Sequence, residues 1–293
     1  MSTTPVWFIT AAASGFGHEI AKSALERGHK VIATARSSAK LQELQSLGAE
    51  TLDFDVSWPP TKLSEVAAQA VTIYGRIDYL INAAGYILEG TLEESTVEEA
   101  QDQFNVNVFG TVNTIRAFLP HLRAQEALGG NRGGNGRRAT IATFGSLASW
   151  KSGAAYTFYS MTKACMSSLA EGLSEELSPF NIGVAVIEPG YFRTGFLNPG
   201  AKKLTKREIE AYRDERTPSG KVRSVLGQVD GNQPGDVKKG VKVLVDVLTE
   251  DKKELPVRVV LGRDCIEVVR QKSRGILEEM DAWAAIGGST DHE

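Results

Sequence analysis

Tyr159-Ser160-Met161-Thr162-Lys163 sets a phenol and an amine four residues apart inside a helical pattern. That spacing puts both on one helix face, a turn apart. A phenol ionises near pH 10 and is a poor acid or base at neutrality (about 10 as an unperturbed value). A neighbouring ammonium favours the phenolate, so the pair is expected to bring the tyrosine toward working pH. Ser146 stands thirteen residues before Tyr159, just beyond an apolar run. A hydroxyl there can stabilise charge on the same oxygen that the phenol protonates. Tyr156 competes with Tyr159, but Ser160 stands four residues beyond it and supplies no cation. In isolation Ser146 reads as a helix-capping hydroxyl, and a Tyr-x-x-x-Lys pair as an ordinary surface pair. Their order along the chain is what points to proton transfer.

A second group suits an anion. The apolar run Val6–Thr10 leads into Thr10-Ala11-Ala12-Ala13-Ser14-Gly15-Phe16-Gly17, and a helical pattern follows. Free amides and the dipole of a helix N-terminus favour a phosphate, and small residues let the backbone approach it. A plain tight turn is the alternative for these residues taken alone.

These groups have to be held by a scaffold, and its elements are readable. Apolar runs at Val6–Thr10, Lys30–Ala35, Glu50–Phe54, Tyr79–Asn82, Thr140–Phe144, Gly183–Ile187 and Val257–Leu261 alternate with helical patterns. The helices are expected at Phe16–Arg27, Ala39–Leu47, Leu63–Tyr74, Val97–Ala127, Tyr159–Leu177, Gly235–Thr249 and Ile266–Ala284. Near-continuous apolar strands are those buried on both faces of a parallel sheet. The reading is α/β: one doubly wound, Rossmann-like parallel sheet of about seven strands with helices on both faces. Residues 1–293 are expected to form a single domain. Tyr191–Pro234 is too long for a simple connection and is expected to be a substrate lid, with a short amphipathic helix around Leu204–Arg216. Residues 263–293 form a C-terminal helical extension with a polar, frayed tail from Gly287, and Gly129–Arg138 is expected to be a mobile Gly- and Arg-rich loop.

Composition excludes several classes. The 293 residues carry 33 Lys plus Arg against 36 Asp plus Glu, a net charge of −3, which argues against a nucleic-acid partner. No apolar stretch is long enough to span a membrane, and Met1–Pro5 does not resemble a secretion signal. Two cysteines, Cys165 and Cys265, suit a cytoplasmic protein with free thiols. His18, His29, His121 and His292 show no paired ligand spacing, so no metal site is expected.

The motifs in order resemble the short-chain dehydrogenase/reductase family. Residues Thr10–Gly17 are similar to its Thr-Gly-x-x-x-Gly-x-Gly fingerprint, with Ala11 in place of the first glycine. An alanine there is strained if its φ is positive. Asp55-Val56 resembles the pair that contacts adenine, and Asn82-Ala83-Ala84-Gly85 resembles Asn-Asn-Ala-Gly, which passes the adenosine side of the cofactor. Asn82 also suits a role tying adjacent strands together. Asn107, three residues before Gly110, resembles a fourth catalytic member, with Asn105 its competitor. Pro189-Gly190-Tyr191-Phe192-Arg193-Thr194 is similar to Pro-Gly-x-x-x-Thr, which covers the nicotinamide. The resemblance spans about Val6 to Gly262.

It implies a catalytic set of Asn107, Ser146, Tyr159 and Lys163. It also implies a cofactor site of Thr10, Ala11, Ser14, Gly15, Phe16, Gly17, Arg36, Ser37, Asp55, Val56, Asn82, Ala83, Ala84, Gly85, Tyr159, Lys163, Pro189, Gly190, Phe192 and Thr194. No acid stands at Thr34, Ala35 or Arg36, where a site preferring NAD places one for the ribose 2′-hydroxyl. A guanidinium fits a 2′-phosphate with paired charge-assisted bonds, so NADP(H) is the expected cofactor. The expected reaction is reduction of a ketone or aldehyde, in the carbonyl or hydroxysteroid reductase branch, with a small-molecule carbonyl or alcohol substrate. Association as a homodimer or homotetramer through the two long helices is implied too. A cofactor-binding regulator on this fold would be expected to lose Tyr159 or Lys163. A cofactor-free lyase such as a halohydrin dehalogenase resembles the family with arginine at the lysine position, and Lys163 argues against it.

Overall fold

The seven runs form one parallel sheet because each strand is apolar enough to be covered on both sides. The computed structural model describes residues 4–129, 136–198, 201–250 and 254–292; positions 130–135 of the Gly129–Arg138 tract lie outside them. The strands are β1 (Val6–Ile9), β2 (Lys30–Ala35), β3 (Glu50–Asp53), β4 (Tyr79–Asn82), β5 (Ile87–Glu89), β6 (Ala139–Phe144), β7 (Ile182–Pro189), β8 (Lys202–Leu204) and β9 (Arg258–Leu261). The main sheet runs β3-β2-β1-β4-β6-β7-β9, all parallel. Phe8 pairs with Ile32 on one side and Leu80 on the other.

Alternation along β1 divides the core. Trp7 and Ile9 face one layer, where Trp7 stacks on Tyr79 with ring centroids 4.0 Å apart. Val6 and Phe8 face the other, where Phe8 meets Phe118 at 4.5 Å. Helices α1 (Gly15–Glu26) and α8 (Val237–Thr249) pack on the first face. Helices α3 (Pro60–Tyr74), α5 (Gly110–Ala124) and α6 (Thr157–Leu177) pack on the second. Strand order reverses between β1 and β4. Such a switch point opens a crevice at the carboxyl ends of the strands.

Local chemistry explains the helix ends. In α3, Pro60 starts the helix and Gly75, at φ +80°, stops it. The helix α4 (Val97–Phe104) opens with a capping box, Thr96 accepting from the Glu99 amide and Glu99 from the Thr96 amide. In α8, Asp236 accepts from the amides of Lys238 and Lys239.

Four expectations differ. The helix expected over Val97–Ala127 is broken by one π turn, Asn105–Phe109, between α4 and α5. The inserted residue turns Asn107 inward, where it is 1% exposed. The helix then ends at Ala124, because the buried side chain of Gln125 leaves to bond both backbone groups of Ile77. The Ala39–Leu47 helix is a 3₁₀ turn, Ser38–Leu41, followed by the short α2 (Gln42–Ser46). The Leu204–Arg216 helix is replaced by β8 and a single turn at Glu210–Tyr212. The helix of this region, α7, lies further on at Pro218–Val229, started by Thr217 capping the Gly220 amide and by Pro218 in the first turn. The last helix, α9 (Arg263–Gly288), begins earlier and ends later than expected.

Candidate active site

The carboxyl ends of the strands open into a cleft of about 960 Å³. One end is built by β1 and α1. Ala11, Ser14, Gly15, Phe16 and Gly17 line it. A Cβ on Gly17 would sit 2.8 Å from the Ala11 carbonyl oxygen, so the turn closes only on a residue without a side chain. Ser14 holds the N-cap position of α1 without a side-chain bond, and the first turn contains no acid. This N-terminus is therefore electrostatically open to an anion. Ala11 adopts φ +52°, the left-handed region that suits the glycine it replaces. Ala11→Gly should stabilise the fold by about 1 kcal/mol, read as a rise in thermal midpoint. An unchanged or lower midpoint would contradict strain there.

Thr10 does not line the cleft but fixes its floor. Its hydroxyl accepts from the amides of Ala83 and Ala84 at 2.9 and 3.1 Å. Asn82 is buried and donates to the Ala142 carbonyl at 3.3 Å, tying β4 to β6. Ala83, Ala84 and Gly85 line the cleft, as do Asp55 and Val56. The Asp55 carboxylate accepts from the amide and hydroxyl of Ser57. Arg36 lies exposed at the rim with Lys40 on the same wall, whereas Ser37 does not reach the cleft. Asp53 is turned away from it, held below the usual carboxylate range by the amide and hydroxyl of Ser38.

At the other end, Ser146, Tyr159 and Lys163 line one wall. The Ser146 hydroxyl accepts from the Ala148 amide at 3.1 Å. Ser149 ties this loop to α6, accepting from the Ser146 amide and donating to the Lys163 carbonyl. Lys163 Nζ donates to the Phe144 carbonyl at 2.8 Å and lies 5.6 Å from the Tyr159 ring centroid. Asn107 does not line the cleft. Its amide bonds both backbone groups of Tyr86 at 3.0 Å and donates to Thr162 at 3.1 Å. A Cβ on Gly85 would lie 3.3 Å from Asn107 Oδ1 and 3.6 Å from Lys163 Nζ, so the asparagine sits directly beneath that glycine.

The acid–base expectation needs correction. Burial pushes the Tyr159 phenol up, with the neighbouring Ser146 hydroxyl working the other way. Lys163 is pushed down to about 8, also by burial. Tyr159 is 7% exposed because Ile87, Leu197 and Leu226 pack around it, and two of those come from the 191–234 segment. Desolvation outweighs the lysine in setting this phenol.

Pro189, Gly190, Phe192 and Thr194 line the cleft opposite α1. Phe192 meets Phe16 at 5.2 Å, and Thr194 packs beside Gly15 while accepting from the Phe196 amide. A Cβ on Gly190 would strike the Asp264 carboxylate, which accepts from the Tyr191 amide at 2.7 Å.

Sequence reasoning missed other lining residues. Tyr86, Tyr156, Tyr191, Lys203 and Gln233 all reach the cleft. Lys203 arrives because β8 pairs with β5, reinforced by Lys202 bonding Glu89 at 2.5 Å. Arg223 of α7 pairs with the buried Glu94. Two of these had a signal: Tyr191 as the residue after Pro189-Gly190, and Tyr156 as the competitor of Tyr159.

Residues 5–204 match the model of a family described as short chain dehydrogenase. The chain belongs to that family. It is 36% identical over 200 residues to oxidoreductase claN of Passalora fulva, covering 67% of this chain and 86% of that one. It is 33% identical over 216 residues to a 3-ketodihydrosphingosine reductase of Bacteroides thetaiotaomicron, covering 73% and 74%. A short-chain dehydrogenase structure from Streptomyces avermitilis superposes with a TM-score of 0.85 at 32% identity, over 100% of both chains. The protein is an oxidoreductase of this fold, and a nicotinamide cofactor is typical of the family. Among the described residues no helix is long and apolar enough to cross a membrane.

Proposed function

We propose that this short-chain dehydrogenase is an NADPH-dependent reductase of a ketone or aldehyde. The observation that carries the reading is one cleft with an acid-free helix N-terminus at one end and Ser146, Tyr159 and Lys163 at the other. The residues fit the cofactor. The α1 turn from Ser14 to Gly17 would hold the pyrophosphate, Arg36 a 2′-phosphate, and Asp55, Val56 and the Ala83–Gly85 segment the adenosine. Lys163 would hold the ribose hydroxyls, with Pro189, Gly190, Phe192 and Thr194 around the carboxamide. When bound, the nicotinamide supplies the hydride.

The chain's own residues supply the proton. Burial keeps Tyr159 protonated, which suits a donor to a carbonyl oxygen. Ser146 donates to that same oxygen and stabilises charge as it develops. The Lys163 ammonium stabilises the phenolate left behind. Asn107, bonded to Tyr86 and Thr162, fixes the floor beside Lys163. The 191–234 segment covers the substrate end and excludes water. A relative named for reduction of a 3-keto compound supports the carbonyl class.

A panel of ketones, aldehydes, quinones and steroids, followed by loss of NADPH absorbance with a Tyr159→Phe blank, tests the reading. No turnover anywhere in the panel would count against it. The pH profile gives a second check. Lys163, lowered to about 8, keeps its proton below that pH and loses it above. Reductive kcat/KM should therefore be level to about pH 8 and fall beyond. A profile still level near about pH 10, where a free lysine titrates, would exclude the ammonium.

A further inference from the structure

Helix α9 leaves the sheet soon after it starts. Cys265 is its one buried side chain, and every residue from Arg270 to Ile286 except Ser273 is exposed. At 1.5 Å per residue its length is about 39 Å. The projecting part is not polar all round. Val269, Ser273, Ile276, Met280, Trp283 and Gly287 recur at alternating spacings of four and three, the seam of a two-helix coiled coil. Ile276 is 39% exposed, and Met280 and Trp283 are 61% exposed each. A stripe of this length left open marks an interaction surface.

The charges identify the occupant. Before the midpoint stand Arg270, Lys272 and Arg274; after it stand Glu278, Glu279 and Asp281. Helical spacing puts Lys272 and Glu279 on one shoulder of the stripe, and Arg270 and Asp281 on the other. Among the described residues none of these four has an ion-pair partner within its own chain.

We propose that α9 pairs antiparallel with α9 of a second copy of this chain, about a two-fold axis between Gly275 and Ile276. Lys272 then faces Glu279 of the second copy, and Arg270 faces its Asp281. Both pairs share one centre, so a single register satisfies all four charges twice over. A parallel pair would set like charges against like, which disfavours it. The contact is isologous and closes at two copies. A lipid surface is the poorer match, because helices that lie on membranes carry a basic polar face and this one turns acidic beside Trp283.

Ile276→Cys in the full chain, mildly oxidised, should give a covalent dimer as the main product on a non-reducing gel. Glu278→Cys, on the far face of the same turn, and the unmodified chain with Cys165 and Cys265 should give none above background. In sedimentation velocity, Arg270→Glu with Lys272→Glu should weaken self-association about tenfold, and adding Glu279→Lys with Asp281→Lys should restore it. The proposal is overturned if Ile276→Cys cross-links no better than Glu278→Cys, or if the charge-reversed protein associates as tightly as the original. It is equally overturned if the chain floats with phosphatidylcholine–phosphatidylserine vesicles, loses this in Trp283→Glu, and sediments identically in both forms.

Discussion

Tyr159→Phe is expected to lower kcat about a thousandfold while NADPH affinity stays within about twofold. The ring keeps its place because Ile87, Leu197 and Leu226 pack around it. Ser146 still accepts from the Ala148 amide, so the loop is not released. What goes is the phenolic proton that the proposed mechanism gives to a carbonyl oxygen. A stopped-flow comparison of hydride transfer and a fluorescence titration with NADPH would separate the two quantities. Substantial turnover in the phenylalanine protein would remove the tyrosine from the mechanism. Loss of NADPH binding with unchanged turnover per bound complex would do the same.

Arg36→Asp carries the second large effect. The guanidinium is at the rim and makes no buried contact, so the fold should lose less than about 0.5 kcal/mol. The carboxylate would repel a 2′-phosphate and accept from a 2′-hydroxyl. The ratio of kcat/KM for NADPH over NADH should fall about a hundredfold or more. Lys40 remains on the same wall, so NADPH should still bind, more weakly. Measuring both cofactors with one carbonyl substrate decides the matter. An unchanged ratio would mean that Arg36 is only a solvated surface charge.

The interior of the candidate site shows why sequence proximity is a poor guide to electrostatics. Tyr159 and Lys163 are a turn apart, and that alone suggests a phenol shifted down. In the folded chain both side chains are withdrawn from water, and each is driven toward its neutral form. For Tyr159 part of the cover comes from Leu197 and Leu226, which are far along the chain in a segment whose expected helix, Leu204–Arg216, is absent. The same segment defeats residue-level prediction elsewhere. Lys202–Leu204 is a three-residue strand of two lysines and a leucine, and it pairs with Ile87–Glu89 across more than a hundred residues. Nothing local in it calls for extended structure.

Parts of the scaffold were readable because burial on both faces leaves a plain mark. The seven strands of the main sheet are runs of apolar residues, and the glycine- and proline-marked turns bound them. The order of the helices followed from their period, and the Thr10–Gly17 turn could be assigned to the start of α1. The long helix expected at Val97–Ala127 was right in composition and wrong in continuity. A π insertion changes no residue preference, so it leaves no trace in periodicity, yet it is what buries Asn107 beneath Gly85.

Residue types and their local periods determined the strands, the phosphate-friendly turn and the identity of the phenol–amine pair, since each is written within a few neighbouring positions. The tertiary structure alone decided how dry the phenol is, which distant side chains cover it, the strain at Ala11 and the exposure of the apolar face of α9. All four depend on what lies across space from a residue, and solvent exclusion is a property of the assembled surface.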